Sequence, residues 1–189
     1  MNPALLRGNL VRLAADEPEV IGKAFARWER DTEYQRLLHT DPAALWSEKK
    51  FKEWLEKDLS KETQEEFFFD IHTLEGDRLV GFIGLMDIEW NHGNAWVAIG
   101  IGDRAEWGKG YGSEAMRLIV QYAFNELNLQ RVSLAVFEYN QRAQRSYEKV
   151  GFKLEGRQRQ VIHRAGQRYD VLIMGILRSD WYKTNPPVV

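Results

Sequence analysis

The chain has 189 residues, 44% apolar and 29% charged, with a net charge of −2; that supports one sizeable core and favours one domain over two. The near-neutral balance gives no reason to expect nucleic acid or an acidic membrane as partner. No apolar run approaches the roughly 18 residues of a membrane span, and Arg7 and Arg12 interrupt any apolar signal core. The absence of cysteine excludes disulfides, thiolate zinc sites and a cysteine nucleophile. Four scattered histidines, His39, His72, His92 and His163, suggest no metal site, and the expected location is the cytoplasm.

In chain order, Leu10 to Leu13 reads as a short strand, and Glu17 to Arg30 as a helix with Pro18 in its first turn. Trp46 to Leu59 is a second helix, with Trp46, Phe51, Trp54 and Leu55 on related faces. Glu66 to Leu74 and Arg78 to Asp87 form a hairpin about Gly76-Asp77. After a turn at His92-Gly93-Asn94, Ala95 to Ile101 is apolar on both faces, as a central strand should be. A glycine-rich loop, Trp107 to Gly112, leads into a long helix from Ser113 to Leu127. Arg131 to Phe137 is a strand, and Gln141 to Val150 a helix stopped by Gly151. Lys153 to Ile162 and Arg168 to Leu177 make a closing hairpin, and residues 184–189 a frayed tail. The order predicts a mixed sheet with helices on its faces, in one domain spanning residues 1–189 with its core at about 10–178.

Charge is uneven. Asp16 to Asp70 holds 15 acids and 9 bases, a net of −6, whereas Arg131 to Arg178 holds 10 bases and 4 acids, a net of +6. Two readings stay open: differing solvated faces, or an anionic cofactor on the C-terminal half and a cationic acceptor near the N-terminal half.

Nine of the 15 glycines lie between Gly76 and Gly112. The densest cluster is Trp107-Gly108-Lys109-Gly110-Tyr111-Gly112-Ser113, between a central strand and a long helix. Successive backbone N–H groups followed by a helix N-terminus suit phosphate oxygens, glycine allows close approach, and Lys109 adds a charge. A flexible loop without ligand is the alternative. A Walker loop is rejected, because Asp103 stands where its first glycine belongs and Gly110 where Ser or Thr should follow the lysine. Gly100-Ile101-Gly102-Asp103-Arg104-Ala105 matches a dinucleotide fingerprint in letters, but no helix opens at once.

Downstream, Asn140 follows a strand and starts a helix, which makes it an N-cap candidate. Tyr147 lies two turns along on nearly the same face; it reads either as a core-edge aromatic or as a proton donor to a thiolate leaving group.

Together these blocks resemble the GNAT superfamily of acetyl-CoA-dependent N-acetyltransferases. Trp107 to Ala115, W-G-K-G-Y-G-S-E-A, resembles the family's Q/R-x-x-G-x-G/A loop, and Asn140 to Phe152 resembles N-x-x-A-x-x-x-Y-E-K-x-G-F. Trp107 replaces the usual Gln or Arg, as in the branch similar to RimJ/RimL ribosomal-protein and spermidine acetyltransferases. The resemblance runs from about Leu10 to Leu177. It implies an α/β (α+β) fold: a mixed, mostly antiparallel sheet, splayed central parallel strands, and helices on both faces. By the same resemblance, Gly100, Ile101 and Gly102 would pair with the pantetheine arm. Gly108, Lys109, Gly110, Tyr111, Gly112 and Ser113 would hold the pyrophosphate, Asn140 would bond the pantetheine, and Tyr147 would protonate the CoA thiolate. A backbone N–H on the central strand would polarise the thioester carbonyl. No metal is implied.

Without cysteine, direct attack by the acceptor amine on acetyl-CoA in a ternary complex is the simplest route. A non-catalytic CoA-binding or regulatory module on the same fold is the alternative, and retention of Tyr147 favours the enzyme. The ribosomal enzymes' glutamate, five residues before the motif asparagine, is Ala135 here. Glu138, Asp87, Glu89 or a water chain are left as base candidates. The acceptor is expected to be a primary amine (a polyamine, an aminoglycoside or another small amine) or a protein N-terminus. It would be met by the N-terminal helices with Trp28, Tyr34, Trp46 and Trp54, read chiefly as core. Tyr169 and Asp170 of the last hairpin are read as structural, and the family suggests a homodimer.

Overall fold

The structure is a computed structural model and describes residues 5–59 and 65–186. Seven strands form one sheet: β1 (Val11–Ala14), β2 (Phe67–Thr73), β3 (Leu79–Glu89), β4 (Asn94–Ile101), β5 (Arg131–Phe137), β6 (Lys153–Arg164) and β7 (Gln167–Leu177). Their order is β1-β2-β3-β4-β5-β7-β6, which puts β4 at the centre as its two-sided apolar pattern predicts. Among the described residues six α-helices accompany them: α1 (Pro18–Trp28), α2 (Thr32–Leu38), α3 (Glu48–Leu59), α4 (Tyr111–Asn125), α5 (Gln141–Val150) and α6 (Arg178–Thr184).

All neighbouring strands are antiparallel except β4 and β5, which run parallel and pair only over Asn94–Trp96 and Arg131–Ser133. Beyond that point β4 stays on β3 as far as Ile101, and β5 stays on β7 as far as Phe137. The sheet is therefore split at its centre.

The main core lies between the sheet and α4. Ala115, Met116, Ile119, Val120 and Ala123 of α4 are fully buried against Ile83, Leu85, Val132 and their neighbours, the stripe that a 3.6-residue period predicts. On the opposite face Ala24, Trp28 and Tyr34 form a smaller cluster. Phe25 stacks on Phe51 at 5.9 Å and packs on Phe82 at 5.2 Å. Phe137, Ile162 and Val171 make a third cluster under the β6–β7 hairpin.

Several boundaries differ from the sequence expectations. A separate α2 follows α1, capped by Asp31, whose side chain accepts from the N–H groups of Glu33 and Tyr34. Trp46 lies outside α3, and Trp54 is exposed on it. Helix α4 starts at Tyr111, because Gly110, at φ 90°, serves as its N-cap. An additional helix, α6, covers Arg178–Thr184 and is fastened by buried Trp181; it ends where the expected tail begins, and residues 187–189 of that tail lie outside the described residues.

At the β1–β2 edge, Asp70 is buried and accepts from the Asp16 peptide N–H at 2.9 Å. His72 Nε2 meets Asp16 Oδ2 at 2.7 Å. Loss of solvation pushes the Asp70 carboxyl up to about 6. Its unfolded value is near 3.8, so ionising it in the folded state costs stability as pH rises through that interval. Asp70→Asn should therefore be more stable than the parent at pH 7, by up to about 3 kcal/mol. The advantage should vanish below pH 4, as urea unfolding across pH will show.

Candidate active site

The split between β4 and β5 opens a cavity of about 530 Å3. Strand alternation divides its walls between two faces. Ile99 and Ile101 face α4, since a Cβ at Gly112 would meet their side chains at 3.9 and 3.5 Å. Gly100 faces the other way, towards Phe82 and Tyr34. The cavity thus passes through the sheet, with α4 and α5 at one end and α2 at the other.

The backbone of β4 is the element between them. Gly102 N–H donates to Val80 O, and the Ile101 carbonyl accepts instead from the Trp107 indole at 2.7 Å. In an antiparallel pair both polar groups of one residue point to the same side. Ile99 and Ile101 therefore turn their N–H groups, and Val97 and Ile99 their C=O groups, into the cleft, the Val97 N–H being the last donor of the β4–β5 ladder, and Gly100 and Gly102 turn theirs towards β3. Gly102 is a glycine because a Cβ there would lie 2.1 Å from the Trp28 ring. Its need for space comes from packing. Trp107 ties the glycine loop to the end of β4.

The α4 end is built for anions. Gly108 and Gly110 adopt φ 78° and 90°, and Gly110, Tyr111, Gly112 and Ser113 bring the helix N-terminus, with its free N–H groups and positive dipole end, to the cavity wall. Ser113 Oγ and Ser146 Oγ meet at 2.6 Å and join α4 to α5. Helix α5 adds Arg142, Arg145 and Lys149 to the lining. Arg142 lies 3.6 Å over the Trp107 ring, and burial lowers its pKa from the ordinary value. Glu114, in the first turn of α4, accepts from the peptide N–H groups of Asn9, Leu10 and Val11 at 2.9, 2.6 and 2.8 Å. The Leu10 side chain so held lies 3.2 Å from where a Gly110 Cβ would stand, so Glu114 supports the loop from outside the cavity.

Asn140 caps α5, its Oδ1 accepting from Ala143 N–H at 3.2 Å, and borders the cavity. Tyr147 lies two turns on, against Phe152, and also borders it. Desolvation pushes its phenol up to about 12. It therefore carries its proton across the physiological range.

Of the residues singled out from sequence, Gly100, Ile101, Gly108, Gly110, Tyr111, Gly112, Ser113, Asn140 and Tyr147 line this one cavity. Gly102 and Lys109 do not: Gly102 is covered by Trp28, and Lys109 pairs with Glu106 at 3.0 Å. Among the base candidates Asp87 borders the cavity, on a β3 bulge at φ 49°. Glu138 pairs with Arg157 at 3.3 Å, and Glu89 accepts from Asn94 at 3.3 Å. Val97, Ile99, Arg142, Arg145 and Ser146 were not singled out from sequence. The α5 residues among them, with Lys149, follow an i, i+3, i+4, i+7 spacing of their own, on a different face of the helix from Asn140 and Tyr147. Among the described residues no group of three or more His, Asp or Glu side chains is placed to hold a metal, and no helix is long and apolar enough to cross a membrane.

A parallel strand pair split over a cavity, with a glycine-led helix N-terminus and a half-buried phenol along it, defines a site for a long anionic cofactor. The family model described as "Acetyltransferase (GNAT) domain" matches residues 11–153. Probable N-acetyltransferase YjcK of Bacillus subtilis (strain 168) is 37% identical over 131 residues, covering 69% of this chain and 68% of that protein. The spermidine N(1)-acetyltransferase of Escherichia coli (strain K12) is 27% identical over 134 residues, covering 67% and 69%. In fold, the chain is similar to the Vibrio cholerae spermidine N-acetyltransferase solved with CoA and spermine. The TM-score is 0.78 at 23% identity, covering 90% of this chain and 97% of that one. The chain belongs to the GNAT family: it is an N-acetyltransferase, and its acetyl donor is acetyl-CoA. The residues present fit that donor, with a free strand edge for its amides, a helix N-terminus for its phosphates, and three cations on α5.

Replacing Glu114 by Gln leaves one acceptor oxygen for three donors. Unfolding stability should fall by about 2 kcal/mol, read as a lower urea midpoint at unchanged m-value.

Proposed function

We propose that this chain, acting as one catalytic domain, moves an acetyl group from acetyl-CoA to a primary amine by direct attack within a ternary complex. The observation that carries the reading is the single cavity bordered by the free edge of β4, the N-terminus of α4 and the Tyr147 phenol. Bound acetyl-CoA supplies an electrophilic thioester carbonyl and a thiolate leaving group. Val97, Ile99 and Ile101 would hold its amide-bearing arm as an added strand. The N–H groups of Ile99 and Ile101 are also donors that the cleft offers to the acyl carbonyl, where fixed dipoles stabilise developing charge. Gly108, Gly110 and the first turn of α4 would take the phosphates, with Arg142, Arg145 and Lys149 neutralising charge. The Asn140 NH2 is left for the arm once Oδ1 has capped α5.

Tyr147 Oη holds a proton and lies along the cavity wall, as a general acid to a departing thiolate must. At the other end Asp87 would hold the acceptor's ammonium and take its proton. With no cysteine in the chain, the amine itself receives the acetyl group. A primary amine as acceptor class agrees with the names of the relatives, two of them spermidine N(1)-acetyltransferases.

Two outcomes check this reading. Acetyl-CoA at about 100 times its dissociation constant should add roughly 2.7 kcal/mol of stability in a thermal-shift series. Gly110→Asp, which puts a side chain and a negative charge at the cradle, should abolish that gain while the protein remains folded. Tyr147→Phe should lower kcat for CoA release about 10²-fold or more with acetyl-CoA binding within twofold. Unchanged turnover would remove Tyr147 from the chemistry.

A further inference from the structure

The acceptor end of the cavity differs in character from the donor end. On the face away from α4 its walls are Tyr34, Leu37 and Leu38 of α2, Met86 of β3, Trp96 of β4 and Phe137 of β5. Met86 and Trp96 are directly paired across β3 and β4. Carboxylates are scarce among the described residues lining the cavity. Glu106 is held by Arg78 at 2.6 Å and by Lys109 at 3.0 Å, which leaves Asp87.

The acidic surplus between Asp16 and Asp70 does not reach this wall: none of its described acids lines the cavity. Several are matched elsewhere. Asp31 pairs with Arg104, Glu29 meets His39 at 2.7 Å, and Asp16 meets His72 at 2.7 Å. The electrostatic reading of the two chain halves thus has no counterpart at the acceptor end.

The apolar wall is also fixed in place. Tyr139 Oη donates to Arg36 O at 2.8 Å. The Arg164 guanidinium, from β6, donates to the carbonyls of His39, Thr40 and Asp41 at 2.6, 3.0 and 3.0 Å. Gln35 holds Ala44 through both its carbonyl and its N–H. Helix α2 is thereby pinned at its end and beyond it. Beside Gly100, the Tyr34 hydroxyl is buried without a hydrogen-bond partner. With Thr40 and Asp87 it is among the few polar groups at this largely apolar end, and such groups are satisfied when a ligand arrives.

We propose that the acceptor is a primary amine of single positive charge carried on an apolar group, recognised by Asp87, the Tyr34 hydroxyl and the α2 wall, in preference to a polyamine. This deepens the acetyltransfer reading and rests on it. A lone ammonium finds one carboxylate, and its apolar body finds the wall. Each further ammonium of a polyamine would lie on apolar surface without a counter-charge, which burial penalises.

The test is CoA release by the full chain with acetyl-CoA and a panel of amines. The panel contains 2-phenylethylamine, isoamylamine, a tripeptide with N-terminal leucine, putrescine, spermidine and spermine. Either small apolar monoamines or the peptide should exceed spermidine in kcat/KM at least tenfold, and which of them leads separates a metabolite from a protein N-terminus as source. Asp87→Asn should raise the amine KM about tenfold with the acetyl-CoA thermal shift intact. Leu38→Glu, checked for folding by thermal unfolding, should move the preference towards spermidine. Spermidine or spermine as the best substrate of the parent chain overturns the acceptor assignment and leaves acetyltransfer standing. Turnover of no amine, with the acetyl-CoA shift present, overturns the acetyltransfer reading and the acceptor assignment with it.

Discussion

Everything at the site follows from three residue pairs. Strands β4 and β5 are hydrogen-bonded only over Asn94–Trp96 and Arg131–Ser133. A complete ladder would satisfy the backbone of both strands and close the sheet. The short one leaves the N–H groups of Ile99 and Ile101 and the C=O groups of Val97 and Ile99 in the cleft, a state that costs free energy unless water or a ligand pairs with them. Full pairing of β3 with β4 and of β5 with β7 on the outer sides makes the opening tolerable, because each half-sheet is stable in itself. The main core beneath it is continuous through α4.

Two side chains then fix the mouth of the opening. Trp107 binds the Ile101 carbonyl and carries Arg142 on its ring. Glu114 gathers three peptide N–H groups of the N-terminal segment and so supports Gly110 from behind. Neither requires a bound ligand to hold its position, so the anion-binding end is arranged in advance, which lowers the ordering cost of binding.

Much of the fold was legible because its signals are local. Strand Arg131–Phe137 and helix Gln141–Val150 agree residue for residue, the helix being bounded by the Asn140 cap and by Gly151 at φ 113°. Helix α2 escaped notice because it is only seven residues long and follows α1 with neither glycine nor proline between them. Helix α6 escaped because what holds it is the burial of Trp181 under distant elements. At the site, the motif residues read from sequence do converge on one cavity, except Gly102 and Lys109. Gly102 stands apart because its neighbour in space is Trp28, from the N-terminal helix. Which backbone groups of β4 face the cleft depends on strand parity relative to β3, and parity is a property of the paired sheet.

The grip of Glu114 on residues 9 to 11 joins segments more than one hundred positions apart in the chain. Donor binding and the docking of β1 are then linked equilibria. Whatever tightens the cradle also tightens the N-terminal strand, and whatever loosens that strand weakens the cradle. Slow exchange of the Asn9, Leu10 and Val11 amides would therefore report on a ligand they do not touch. A change introduced near the N-terminus, such as a fusion that disturbs β1, would reach the phosphates through a single carboxylate.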